Sequence, residues 1–209
     1  MKAVKVLVFS DIHSDARALQ QLMSIEADYY FCAGDLVNWG RQLDAMGDIL
    51  KRRADRVYVI PGNHESAEQI AFMCKKYGLH DFHGGHLEAG GFHITGLGYS
   101  NPTPFATPGE YSEAELEQRL HAFDGLQPMI SICHAPPFGT MLDRITNLKH
   151  AGSRAIREFL QREKPRYFFC GHIHEAAGAQ EKLGETSAMN VGRKGYLLDL
   201  DQQKEWGVL

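Results

Sequence analysis

Five short apolar runs recur along the chain at Val4–Phe9, Tyr29–Ala33, Val57–Ile60, Met129–Cys133 and Tyr167–Cys170. Each is rich in β-branched or aromatic residues and has the length of a buried strand. Their hydrophobicity is nearly continuous, which suits parallel strands covered on both faces. Helical patterns alternate with them. Ala18, Leu19, Leu22 and Ile25 line one face of the segment 15–26, and further helices are expected over 41–53 and 67–77. Ser112 heads a capping-box sequence, S-E-A-E, followed by a Leu116, Leu120, Phe123 stripe. A last helix is expected over 153–162, stopped before Pro165.

Between Leu79 and Thr95 short runs are split by Gly84-Gly85 and Gly90-Gly91, as in β-hairpins. Past His174 only short strand-like segments remain, over 177–181, 186–190 and 196–200. A second sheet containing antiparallel strands is therefore expected. The fold class is α/β, a four-layer α/β/β/α sandwich of two mixed sheets flanked by helices. The Pro-rich stretch 99–109 reads as a surface loop, either a lid or a plain connector.

At 209 residues one domain, 1–209, is expected. An apolar fraction of 44% and a charged fraction of 23% are ordinary for a globular protein. A net charge of −4 supplies no basic footprint for nucleic acid. No run approaches the length needed to cross a bilayer, and the N-terminal run is too short for a secretion signal. Cys32, Cys74, Cys133 and Cys170 show no C-x-x-C spacing, and three of them end core strands. A cytoplasmic location and no membrane partner follow as expectations.

The chemistry lies where the strands stop. Directly after them come Asp11-Ile12-His13, Gly34-Asp35, Gly62-Asn63-His64-Glu65, His134 and Gly171-His172-Ile173-His174. Ligands of open α/β sheets gather at these carboxyl ends. By chance D-x-H arises about 0.6 times in such a chain, G-H-x-H roughly 0.06 times and G-N-H-E roughly 0.002 times. Accident does not explain the ordered set. If the segments are extended, residues i and i+2 face one side, so Asp11 with His13 and His172 with His174 each offer two ligands together.

This ordered set, from Asp11 to His174, resembles the calcineurin-like metallophosphoesterase family, in particular its small stand-alone prokaryotic members. The resemblance implies the same sandwich and a two-metal phosphoester hydrolase. It assigns Asp11, His13, Asp35 and His174 to one metal, with Asp35 bridging to a second held by Asn63, His134 and His172. Two-metal sites of this kind act through a shared hydroxide that is potent at neutral pH. Shells of nitrogen and oxygen without thiolate suit Mn, Fe, Co or Zn. The neutral amide oxygen of Asn63 suits Mn(II) or Fe, and Mn(II) is the ion favoured here.

His64 follows a ligand immediately and so points away from that metal; the resemblance makes it the catalytic residue that protonates or stabilises the leaving oxygen. Where many members carry an Asp supporting this histidine, the chain has Asn38, expected to orient His64 without adding charge. Asn38 and His150 are the substrate-binding candidates, and a helix starting near Ser153 offers N–H groups to a phosphate. Purple acid phosphatases place a Tyr where Asn38 stands. Protein phosphatases place Arg residues at the positions of Trp39 and Ile60-Pro61. Lacking that Arg pair, the chain favours a small phosphodiester, a nucleotide among the candidates, over a phosphomonoester or pyrophosphate. A non-catalytic protein-binding scaffold is the alternative of another class, and homo-oligomerisation stays open. His80, His83, His86, His93 and His121 read as hairpin and helix-surface residues, not ligands.

Overall fold

The computed structural model describes residues 4–146 and 148–201. Residues 1–3, 147 and 202–209 of the expected 1–209 domain lie outside that range. In chain order the elements begin β1 (Lys5–Phe9), α1 (Ala16–Ser24), β2 (Tyr29–Ala33), α2 (Leu43–Leu50), β3 (Val57–Ile60) and α3 (Ala67–Tyr77). Next come β4 (His80–Asp81), β5 (Gly85–Ala89), β6 (Phe92–Leu97), α4 (Glu113–Leu120), β7 (Met129–Cys133), β8 (Arg144–Thr146) and β9 (Lys149–His150). The chain continues with α5 (Arg154–Glu163), β10 (Tyr167–Cys170), β11 (Gln180–Leu183), β12 (Thr186–Asn190) and β13 (Tyr196–Asp199).

One sheet has the order β13-β1-β2-β3-β4 and the other β11-β12-β10-β7-β6-β5. Strands β1 to β4 are mutually parallel, as are β12, β10, β7 and β6. Antiparallel β13 edges the first sheet, and β5 and β11 edge the second. The second sheet is thus parallel at its centre, because α4 and α5 cover its outer face as helices cover any parallel sheet. The last strand belongs to the first sheet, where it pairs with β1 from Lys5↔Asp199 to Val8↔Tyr196.

Alternation within each strand builds the four layers. Val6, Val8, Phe31 and Ala33 point between the sheets, meeting Ile130, Ile132 and Phe169 from the other side. Leu7, Phe9, Tyr30 and Cys32 point outward under α1, α2 and α3. Met129, Cys133, Phe168 and Cys170 do the same under α4 and α5. Full burial of each large side chain contributes about 1.5–3 kcal/mol. The four cysteines are free and buried, and burial pushes the Cys133 and Cys74 thiols up to about 12. Ser66 and Ser112 cap α3 and α4 in reciprocal boxes with Gln69 and Glu115, each cap contributing about 1 kcal/mol.

His83 is not the surface residue its hairpin position suggests. Its Nδ1 accepts the Gly98 N–H at 3.0 Å, and its Nε2 lies 3.0 Å from the Tyr111 hydroxyl. Burial holds its pKa below the ordinary 6.5, against the pull of Asp81. A histidine depressed by folding binds its proton more weakly folded than unfolded, so stability is full above 6.5 and falls as pH drops below it. Urea midpoints of wild type and His83→Gln, compared at pH 7.5 and 5, should converge as the pH falls. An equal gap at both pH values would refute this.

Candidate metal centre

The loops that follow β1, β2, β3, β7 and β10 converge on one rim between the sheets. Asp11, His13, Asp35 and His172 have φ of 56°, 47°, 51° and 70°. The backbone there is left-handed, not extended, so the paired ligands of D-x-H and G-H-x-H are aimed by tight turns in place of strand alternation. The turns are pinned to one another: Asp11 N–H donates to Gly34 O and His13 N–H to Asp35 O, at 3.1 and 3.0 Å. Two glycines are needed for contact. A Cβ on Gly62 would strike the Asp35 carboxylate, and one on Gly171 would strike Ser10 Oγ and the Asp11 carboxylate. The buried Glu65 ties two loops together, accepting the Val37 N–H at 2.8 Å and the Gly62 N–H at 2.9 Å.

All seven expected ligands meet there, as two donor clusters. Asp11, His13, Asp35 and His174 form one, and Asp35, His134 and His172 the other, each within 4.8 Å. Asp35 belongs to both. His13 Nε2 lies 2.8 Å from His174 Nε2 and 3.7 Å from Asp35 Oδ2. His174 Nε2 is 3.4 Å from Asp11 Oδ1, and His134 Nε2 is 3.5 Å from Asp35 Oδ2. Asn63 Oδ1 completes the second group, 3.1 Å from His134 Nε2 and 2.8 Å from His172 Nδ1. A cation bonded to N and O donors at about 2.0–2.2 Å keeps adjacent donors roughly 3 Å apart. The spacing and the mixed imidazole, carboxylate and amide set therefore fit two ions.

Outer contacts aim these donors. His134 donates Nδ1–H to Ala33 O at 2.8 Å, which leaves Nε2 to face Asn63 and Asp35. His13 likewise offers Nδ1–H to Asn38 Oδ1 at 2.8 Å. The Thr107 hydroxyl donates to Glu110 Oε1 at 2.6 Å, so its oxygen is free to accept Asn63 Nδ2–H at 3.1 Å. That chain turns the Asn63 carbonyl oxygen toward the histidines. Burial would raise the Asp35 carboxyl, but His134, His13 and His64 hold it below the usual carboxylate range. Burial would lower His134, but Asp35 and then Asp11 carry it up to about 9. His172 falls to about 4 through burial and repulsion from His134. Since imidazole binds metal as the neutral ring, His134 would hold a cation here only in its neutral form.

The profile of the calcineurin-like phosphoesterase family matches residues 4–176. The chain belongs to that family. An uncharacterized protein of Methanocaldococcus jannaschii, MJ1162, is 30% identical over all of this chain and 97% of its own length. A Rhodopseudomonas palustris protein named a probable cyclic nucleotide phosphodiesterase is 28% identical over 70% of this chain and 56% of its own. Among solved structures, TT1561 of Thermus thermophilus superposes with a TM-score of 0.72, covering 95% of this chain and 100% of its own at 18% identity. As a calcineurin-like phosphoesterase the chain is a metal-dependent hydrolase, and among its described residues no helix is long and apolar enough to cross a membrane.

Within this phosphoesterase site the remaining candidates are placed unequally. His64 donates its backbone N–H to Asp35 Oδ1 at 2.9 Å, while its Nδ1 accepts the Trp39 N–H at 3.4 Å. The ring proton therefore sits on Nε2. Asn38 does not orient His64: its Oδ1 faces His13 Nδ1 and its Nδ2 donates to His13 O at 3.2 Å. Position 38 lies in the turn leaving β2, where His13 is its neighbour across the loops. His150 lines neither cleft beside the donors, and Asp143 Oδ1 lies 2.6 Å from its Nδ1. The expected phosphate site at the start of α5 is filled: Glu113 accepts from Ser153 Oγ, Arg154 N and Ala155 N at 2.7, 3.1 and 2.9 Å. A carboxylate there satisfies the same N–H groups and dipole a phosphate would.

Two clefts flank the donors. One, of about 450 Å³, runs past Asp35, Asn63 and His64 to the Pro102–Phe105 loop and Lys149. The other, of about 510 Å³, opens beyond Asp11 and His174 toward Met189, Arg193 and Lys194. His174 lines both. Arg193 was invisible in the sequence, since nothing local marks it. Its Nε donates to Asp11 O at 3.4 Å and its guanidinium reaches Asp15 at 3.3 Å.

Proposed function

We propose that this phosphoesterase hydrolyses a small phosphodiester, with a nucleotide as the favoured class, using two cations held by the seven ligands. The single observation that carries the reading is the pair of clefts meeting at the donor clusters. A diester has two arms leaving one phosphorus, and each arm has a cleft. Phe105 (73% exposed) on the wall of the first cleft and Trp39 (50% exposed) beside His64 at a ring distance of 5.6 Å offer aromatic faces. Stacking of a base on such a ring contributes about 1–3 kcal/mol. Arg193 and Lys194 attract anionic groups on the other arm. Among the described residues Lys149 is the one lysine or arginine lining the first cleft, against Asp35 and Glu175, which is a thin clamp for a dianionic monoester.

Bound cations would supply Lewis acidity toward the phosphoryl oxygens and a water acidified to attack near neutral pH. Mn(II) is the favoured ion, with Fe, Zn or Co as alternatives. The chain's own residues do the rest. Asp35 and Asp11 supply the buried negative charge that retains cations, and two divalent ions outweigh those two carboxylates, leaving the rim attractive to phosphate. His64 Nε2–H stands ready for the leaving oxygen. The buried free thiols suit a reducing cytoplasm. With Mn(II) present, kcat/KM for bis(p-nitrophenyl) phosphate should exceed that for p-nitrophenyl phosphate by about tenfold or more, roughly 1.4 kcal/mol of transition-state preference. A monoester preference would overturn the diester reading in favour of a phosphomonoesterase or pyrophosphohydrolase.

A further inference from the structure

The edge hairpin of the second sheet carries a separate set of metal-capable side chains. Strands β5 and β6 pair with Leu87 opposite Ile94 and Ala89 opposite Phe92. Those four pack into the inter-sheet core. Because side chains alternate along a strand, His86, Glu88 and His93 stand on the opposite face. Glu88 lies directly across from His93. His86 Nε2 is 2.9 Å from His93 Nδ1, and His93 Nδ1 is 3.7 Å from Glu88 Oε1. All three donor atoms fall within 4.8 Å of one another. Thr95, the register partner of His86, is fully buried and its hydroxyl has no hydrogen-bond partner among the described residues.

We infer that this hairpin binds one transition-metal ion of the Zn(II) class, held by His86 Nε2, His93 Nδ1 and the Glu88 carboxylate. Two imidazoles and one carboxylate form a donor set of borderline softness, which selects Zn(II), Ni(II) or Cu(II) over Mg(II) and Ca(II). Three protein ligands leave a fourth position for water. The backbone holds the donors in place: the hairpin is turned at Gly90-Gly91, and β6 is locked against β7 over five residue pairs. The ion would clip the edge strand β5 onto β6. His86 and His93 are then ligands, where their hairpin positions suggested plain surface residues. None of these side chains lines either cleft of the phosphoesterase site, so the inference stands apart from the proposed reaction.

Equilibrium dialysis of the full chain, stripped with chelator and returned to Zn(II), counts the bound ions. His86→Ala and Glu88→Gln change exposed side chains, so both variants should keep the wild-type circular dichroism. Wild type should retain one more Zn(II) per chain than His86→Ala. Glu88→Gln should weaken that ion by about tenfold or more, the worth of one charged ligand. Diester hydrolysis should stay within about twofold of wild type in both, a difference under 0.5 kcal/mol. Equal Zn(II) counts in wild type and His86→Ala would overturn the inference and leave a hydrogen-bonded histidine pair. A wild-type protein that binds a single Zn(II), lost in His86→Ala, would uphold it while contradicting the two-cation centre.

Discussion

Asp35→Asn should lower kcat/KM by about 10³-fold or more, some 4 kcal/mol of transition-state stabilisation, while leaving the fold in place. Asp35 is the one side chain common to both donor clusters, and it is 1% exposed. Converting it to an amide removes a full negative charge from between two proposed cations, at a buried position where that charge is poorly screened. The change is otherwise conservative. An amide oxygen can still accept the His64 N–H that Asp35 Oδ1 takes at 2.9 Å, so the loop after β3 keeps its anchor. Steady-state rates with saturating Mn(II), read beside thermal unfolding, separate lost chemistry from lost structure. Activity within tenfold of wild type would show that Asp35 is not the shared ligand.

His64→Ala should cost about 10²–10⁴-fold in kcat, the usual worth of a positioned proton donor, and the cost should grow as the leaving group worsens. The Trp39 N–H fixes the ring so that Nε2 bears the proton, and His64 lines the first cleft. Asn38 is occupied by His13 and gives His64 no side-chain hydrogen bond among the described residues. The contribution of His64 is then a directed N–H toward the leaving oxygen. That matters little for p-nitrophenolate, which leaves unaided, and greatly for an alkoxide. A series of diesters spanning leaving-group pKa should show the His64→Ala loss rising along the series. Equal losses throughout would assign His64 to a structural part.

The strands and the positions of the candidate donors were legible for the same physical reason, while the assignment of the donors to two metals came from the family resemblance. Parallel strands buried on both faces leave unbroken apolar runs, and such sheets place their chemistry where the runs end. Asp11, Asp35, Asn63, His134 and His172 could thus be assembled on paper. Hidden features were those settled by partners distant in the chain. Glu113 occupies the start of α5 from another helix, 40 residues away from Ser153. Asn38 finds His13 because two loops cross, and no spacing rule encodes a crossing. Arg193 reaches Asp11 from a turn after β12 that carries no motif. The glycines of G-N-H-E and G-H-x-H stood in the pattern without a reason until Gly62 and Gly171 proved to touch the carboxylates of other loops. Positive φ at four of the candidate donors likewise has no sequence signature, since Asp and His are tolerated there but do not demand it.

Anomalous X-ray diffraction from Mn(II)-loaded crystals addresses the central claim directly. Two peaks should appear at the rim, one among Asp11, His13, Asp35 and His174, the other among Asp35, Asn63, His134 and His172, with Asp35 touching both. A single peak, or none at that rim under saturating metal, would contradict it.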